Sequence, residues 1–335
     1  MAGDTSYILA GDIGGTKTEL ALYPAPGGDA RAPETRERFA SQEFASLEEI
    51  AGKFLAGKDV RLARACIGVA GPVVEGRSRI TNLPWLIDGG SLAAMIGAPV
   101  HLVNDMDAIA HAVAHIDSSD LATVLPGSPV ERGARAIIAP GTGLGEGFLV
   151  WAEGRYQPYG TEGGHTDFAP RDKQQMSLLA YLQDRFDHVS YERVCSGMGL
   201  PNIYAFLRDS GRYSEPGWLR EAFAKVEDRT PLIVQTALDG KADICTATLE
   251  MFVAILGSEA GNLALKVLAT GGVYLAGGIP RRILPWLQKP GFHKSFVNKG
   301  RFAEILSRIP LHVVLNPDAA LIGAAWQAFE VGLLE

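Results

Sequence analysis

Cysteine is scarce in this chain of 335 residues: Cys66, Cys195 and Cys245 lie far apart and none belongs to a CxxC pair. Such sparse, odd-numbered usage gives no zinc signature and suits a reducing compartment. Basic blocks are missing too. The formal net charge is −7 and the isoelectric point is near 5.6, which argues against nucleic acid or an anionic membrane as the main partner. Phosphate binding stays open, because backbone N–H groups hold phosphates without basic side chains. The opening MAGDTSY lacks the basic and apolar regions of a secretory signal. No long apolar run is free of charge: the most membrane-like stretch, 251–270, carries Glu259, Asn262 and Lys266 and reads as a packed helix of a soluble protein. A cytoplasmic protein is expected from these features.

What is present is globular composition. With 47% hydrophobic and 21% charged residues, there is apolar material for one large core or two moderate ones. The chain starts as strand, turn, strand: Tyr7 to Ala10 is apolar, GDIGGT is the turn, and Glu19 to Tyr23 resumes an extended pattern. A helix is expected from Ser46 to Leu55, with Ser46 as N-cap and Glu48 and Glu49 in its first turn. Ala65–Ala70 and Val100–Val103 read as buried strands, the second ending at Asn104-Asp105 before a small-residue helix over 108–114. The opening then recurs: Ala134 to Ala139 is apolar, PGTGLGEG is glycine-rich, and Phe148 to Trp151 is apolar again. Two segments with one logic and no linker between them imply a duplicated, two-lobed α/β protein with an interlobe cleft. The C-terminal half reads as helical, with one return to strand at Val273–Ala276 before GGIPRR. The last segment, 317–334, is an amphipathic helix with Leu321, Ala324, Ala325 and Ala328 on one stripe. The lobes expected are 1–110 with 317–335, and 111–316.

GDIGGTKT is not a Walker A loop, because Lys17 follows Thr16 where that motif requires glycine and because ELALY is strand-like. Gly11, Asp12, Ile13, Gly14, Gly15 and Thr16 instead suit a tight hairpin whose backbone N–H groups form an anion-binding concavity. Asp12 would repel a phosphate, so its carboxylate makes sense beside Mg²⁺ or a Mg²⁺-bound water. A hairpin without a ligand is the alternative. The second turn, with Gly141, Thr142 and Gly143, weighs against it: two such hairpins can close on a polyphosphate, with the Thr142 hydroxyl toward a phosphate oxygen. Gly277 and Gly278, after a buried strand, would let an adenosine lie flat against the chain.

GDIGGT, PGTGLG and LAGGI resemble the two phosphate segments and the adenosine segment of the hexokinase–actin–Hsp70 superfamily, whose two-lobed actin-like ATPase fold is ribonuclease H-like. Within it the chain is most similar to bacterial glucokinases of the non-zinc type. The resemblance runs nearly the full length and includes TNLPW, LVNDMDAIAHAV, EGGHTDFAP and VSYERVCSGMGLPNIY. It implies ATP with Mg²⁺, glucose as substrate and a homodimer. Two departures stand out. Lys17 occupies a position where many of these enzymes carry asparagine, and Pro140 replaces the small residue common before the second turn.

Phosphoryl transfer to an alcohol requires alignment, charge neutralisation and an acceptor for the hydroxyl proton. Asp105, closing a buried strand after Asn104, suits the acceptor; by pattern alone it equally suits a helix cap. The resemblance implies that Asn104 and Asp105 are the sugar-binding pair, with Asp105 as base. Asp107 is the competing carboxylate and is expected to cap the helix. Glu162 and His165 bracket two glycines, so both side chains can meet one small polar ligand, a sugar or alternatively a metal. The CxCGxxGC-like run of zinc-containing sugar kinases is absent. Glu192 by itself reads as a first-turn glutamate favoured by the helix dipole; only the resemblance makes it a third sugar carboxylate. It likewise brings Asn82 to the sugar. Phosphorylation of glucose at its 6-hydroxyl is therefore expected, with another hexose or polyphosphate as variants. A sugar-sensing regulator is disfavoured, since the first phosphate turn arrives within a dozen residues and leaves no room for a helix-turn-helix. An actin-like or chaperone ATPase gives no reason for EGGH beside Glu192.

Overall fold

The structure is a computed structural model and describes residues 6–25, 27–80 and 83–331. Asn82 lies outside the described residues. The chain divides into two compact units, one of residues 1–117, 158–160 and 318–335, the other of residues 118–157 and 161–317.

The first unit contains β1 (Ser6–Ile13), β2 (Lys17–Ala25), β3 (Thr35–Ala40), β4 (Arg61–Val69), β5 (Val73–Val74), β6 (Arg77–Arg79), β7 (Leu86–Asp88) and β8 (Val100–Asn104). Its main sheet has the order β3-β2-β1-β4-β8, and β5-β6-β7 form a small separate sheet. β1 and β2 make an antiparallel hairpin, while β4 runs parallel to β1 and β8 parallel to β4. Side chains alternate across a strand, and β1 shows it. Leu9 and Ile13 enter a core with Leu47, Ile50 and Phe54 of the helix Leu47–Leu55. Ile8 and Ala10 pack on the other face with Ala108 and with Leu321, Ala324, Ala325 and Ala328 of the helix Ala319–Val331. The apolar stripe read in the last segment is thus the one buried.

The second unit contains β9 (Leu121–Leu125), β10 (Arg135–Pro140), β11 (Leu144–Ala152), β13 (Gly272–Leu275), β14 (Leu311–Val314) and all of β12 (Arg155–Thr161) but residues 158–160, in the sheet order β12-β11-β10-β13-β14-β9. Again a hairpin, β10–β11, is followed by parallel neighbours, β13 beside β10 and β14 beside β13. The echo seen in the sequence is an echo of strand plan. The helix Asp243–Val267 is long and apolar enough to span a bilayer, yet it is mostly buried in this unit, with Phe252, Ile255, Leu256 and Glu259 fully enclosed.

Several expectations are corrected. β1 continues through Ile13, so Gly11, Asp12 and Ile13 are strand residues, and the turn is confined to 14–16. Gly11 is closely covered: a Cβ there would stand 2.9 Å from Ile67 Cδ1 and 3.0 Å from Leu20 Cδ2, side-chain ends that would have to shift to admit it. The second turn is only 141–143, and Glu146 and Gly147 belong to β11. The C-terminal half returns to strand twice, at β13 and β14. Asp107 does not cap its helix. Asn104 does, its Oδ1 accepting from Met106 N at 2.8 Å, while Asp107 accepts from the backbone of Gly160. Glu192 does not start a helix; the next one begins at Gly199.

In the first unit, a Cβ at Gly323 would overlap the carbonyl oxygen of Ala108. Neither backbone can yield without separating the helices Asp105–Ala114 and Ala319–Val331. Gly323→Ala is expected to cost roughly 1–3 kcal/mol through overpacking, seen as a lower Tm by calorimetry; an unchanged Tm would contradict this packing.

Candidate active site

In the first unit the parallel strands bring polar groups to one end of the sheet. Register places Ile13 beside Val69 and Val69 beside Asn104, so Asp12, Asn104 and Asp105 gather where β1, β4 and β8 finish. Carboxyl ends of parallel strands are where α/β sheets place ligands. Asn104 is fixed from both sides, its Nδ2 donating to Gly71 O at 2.9 Å while its Oδ1 caps the helix. Asp105 Oδ1 shares the Met106 N–H at 2.9 Å, leaving Oδ2 outside that bond.

Burial pushes the Asp105 carboxyl up to about 6; the Met106 N–H opposes this and repulsion from Asp12 adds to it. Burial likewise raises Asp12, against the Lys17 ammonium 3.5 Å away. Two neighbouring carboxylates at a strand end, both destabilised as anions, suit a cation better than a bare phosphate.

The adjoining turn is braced from beneath. Gly14 N donates to Lys17 O, Ser41 Oγ donates to Gly14 O at 2.8 Å, and Ser41 N donates to Thr16 O. Thr16 is exposed at its tip. Behind it lies a charge network absent from the sequence reading. Burial alone would raise Glu19, which is 1% exposed, but hydrogen bonds from Lys17 and Arg36, with Arg38 also contributing, hold it near 2. Arg36 forks onward to Asp318.

In the second unit one carboxylate ties the other turn to the sugar candidates. Glu192 Oε2 accepts from Leu144 N at 3.0 Å, and Glu192 N donates to Gly164 O at 2.8 Å. A Cβ at Gly143 would strike Glu192 Oε2, so this glycine makes room for a side chain as well as for any ligand. Gly197 N donates to Gly141 O and Met198 N to Thr142 O, so the segment that carries Glu192 also holds the turn. Thr142 stays exposed.

Glu162 and His165 flank the short 3-10 turn Gly163–His165, with Glu162 Oε2 and His165 Nε2 3.9 Å apart and both side chains exposed. His165 and Glu192 line one cavity of about 420 Å³ with His188 and Arg193. A second cavity, about 610 Å³, joins Gly141 and Thr142 to Gly278. Gly277 adopts φ 87°, a left-handed conformation that favours glycine. The second cavity is also walled by Asp228, Thr230 and Arg281. Thr230 Oγ1 donates to Gly197 O at 2.6 Å and Thr230 N to Asp228 Oδ1. Asp228 and Thr230 belong to one segment and Arg281 to another about 50 positions on, with no pattern in the sequence that links the two.

A family model described as glucokinase matches residues 9–330. The chain is 40% identical over 334 residues to a glucokinase of Nostoc punctiforme, covering 96% of this chain and 98% of that one. It is 40% identical over 343 residues to a glucokinase of Synechocystis sp., covering 95% and 96%. Among solved structures it is similar to the crystal structure of a glucokinase from an Antarctic psychrotroph, with a TM-score of 0.83, 31% identity, and coverage of 97% of this chain and 99% of that one. Two α/β units on one strand plan are the duplicated architecture of the actin-like ATPases, a ribonuclease H-like fold.

Proposed function

The chain belongs to the glucokinase family, and from that premise we propose that it transfers the γ-phosphoryl group of ATP to the 6-hydroxyl of D-glucose, releasing ADP and glucose 6-phosphate at the first step of glycolysis. Asp105 is the general base. The observation that carries this assignment is its carboxyl at the end of β8, fixed through Met106 N–H and raised to about 6. A base of that strength is ionised at neutral pH yet basic enough to take the sugar proton as the O–P bond forms. Asn104, Glu162, His165 and Glu192, with Asn82, hold the sugar hydroxyls. The exposed turns at 14–16 and 141–143 offer backbone N–H groups and the Thr16 and Thr142 hydroxyls to the phosphates. The cavity between Thr142 and Gly278 takes the adenosine.

Mg²⁺ fits at Asp12, whose half-buried carboxylate neighbours Asp105 at the strand ends. When bound it would neutralise charge developing on the transferred phosphoryl group. Lys17, held by Glu19, adds a fixed positive charge beside the same turn. We infer the non-zinc branch and a cytoplasmic location, readings supported by three separated, buried free cysteines.

The test is kcat/KM across glucose, fructose, mannose and N-acetylglucosamine, with ATP and with polyphosphate. Glucose with ATP is expected to exceed every other pair by at least about tenfold. A greater value for another sugar, or for polyphosphate, would reassign the substrate while leaving Asp105 as base.

A further inference from the structure

Beneath the Glu162–His165 turn lies a carboxyl with no role in the chemistry above. Glu146, in β11, is 1% exposed, and neither of its carboxyl oxygens has a hydrogen-bond partner. The turn rests directly on it. A Cβ at Gly163 would overlap Glu146 Oε2, and one at Gly164 would overlap the carbonyl oxygen of Leu144 on the same strand. Thr161 Oγ1 donates to Glu146 O at 3.1 Å and accepts from Gly163 N at 3.1 Å, so the entry to the turn hangs from the Glu146 backbone while its glycine sits on the Glu146 side chain.

The charged and titratable groups turned toward this carboxyl are Glu259 and Lys266, from the helix Asp243–Val267, and Cys195. The two glutamates are not equivalent. Glu259 accepts from Asn262 Nδ2 at 2.8 Å and has the Lys266 ammonium at 3.6 Å. Lys299, the other ammonium in this cluster, donates to Asn262 Oδ1 and Ser258 Oγ. Glu146 has no donor on either oxygen, and the Lys266 ammonium is paired to Glu259 instead. An ionised carboxylate in that position would be a buried, unpaired charge, whereas a protonated one is an uncharged filler of the right length.

We propose that Glu146 is a positioning residue for the sugar turn: as the neutral acid it seats Gly163, and its ionisation unseats the turn and weakens glucose binding. This rests on the reading that Glu162 and His165 hold the sugar. Burial first, then Glu259, push the Glu146 carboxyl up to about 8, with Lys266 opposing. The folded acid therefore keeps its proton at neutral pH and loses it as pH rises through about 8, so the seated turn is depleted on the alkaline side. When only a fraction of molecules is binding-competent, the apparent Kd rises by the inverse of that fraction.

The experiment is titration calorimetry of glucose onto the intact protein, without nucleotide, from pH 7 to pH 9.5. Wild type, Glu146→Gln, Glu146→Met and His165→Ala are compared. In wild type, Kd is expected to hold to about pH 7.5 and then climb, approaching tenfold per pH unit at the top of the range. Glu146→Gln and Glu146→Met, both uncharged and of similar length, are expected to bind within about threefold of wild type at pH 7 and to stay flat to pH 9.5. Lys299, which burial lowers to about 8, titrates in the same window and is unchanged in these variants. An alkaline rise retained in both would thus overturn the role of Glu146, as would a flat wild-type profile. His165→Ala is expected to weaken binding at every pH. Full glucose affinity in that variant would instead overturn the reading of the turn as the sugar site.

Discussion

Asp105→Asn is expected to lower kcat by roughly 10²–10⁴-fold, the usual contribution of a positioned general base, while glucose still binds within a few-fold of wild type. The substitution is nearly isosteric, and an asparagine Oδ1 can keep the hydrogen bond from Met106 N. Only the proton acceptor is lost. Because burial raises the Asp105 carboxyl of the free protein to about 6, wild-type kcat/KM should fall as pH drops through that value, when the base becomes protonated. On the alkaline side the same group stays ionised and imposes no limb of its own. In the variant the acid limb should disappear from the residual rate. Wild-type turnover in Asp105→Asn would remove this residue as the base and turn attention to Asp107. That carboxylate, however, is engaged by the Gly160 backbone.

The second large effect is expected at Gly164, where a methyl group would collide with the backbone carbonyl of Leu144. At Gly143 the obstacle is the end of the Glu192 side chain, which can swing aside; at Gly164 the obstacle is main chain, which cannot. Gly164 O also accepts from Glu192 N, so lifting the turn drags the third sugar candidate with it. Overpacking of this kind costs roughly 1–3 kcal/mol. Realised in sugar binding, that is about a 5- to 150-fold rise in glucose KM, since 1.4 kcal/mol is tenfold. Steady-state kinetics of Gly164→Ala with glucose varied at saturating ATP should show that rise with ATP KM little changed. A glucose KM equal to wild type would show that the turn does not need its seat on β11.

The two hairpins are legible in the sequence because an apolar run, a glycine turn and a second apolar run have few other solutions. The helix at 47–55 is legible because its cap is local: Ser46 Oγ accepts from Glu49 N as the capping pattern predicts. The last helix is legible because its stripe is what the sheet buries. Other features depend on partners distant in sequence. β3, with the sequence TRERFA, does not look like a strand until Arg36 and Arg38 are seen to serve the buried Glu19 of β2. In NDMD every polar residue can cap, and only the geometry gives the cap to Asn104 and turns Asp107 toward Gly160. Gly11 reads with its glycine neighbours as part of the turn, yet β1 carries it and Ile13 into the sheet, where Ile67 and Leu20 close over the glycine. The Glu192 carboxylate is held by a backbone N–H 48 positions away, and Arg281 shares a cavity wall with the distant pair Asp228 and Thr230. Periodicity finds elements; it does not find groups that meet only after the sheets are assembled.

The most direct measurement of the account is phosphorus NMR of purified protein with ATP and Mg²⁺, with and without glucose. A sugar 6-phosphate resonance is expected that grows one for one with ADP, requires glucose, and grows at least about 100-fold more slowly in Asp105→Asn. ADP appearing with inorganic phosphate at the same rate whether or not glucose is present would contradict it and leave an ATPase in place of a sugar kinase.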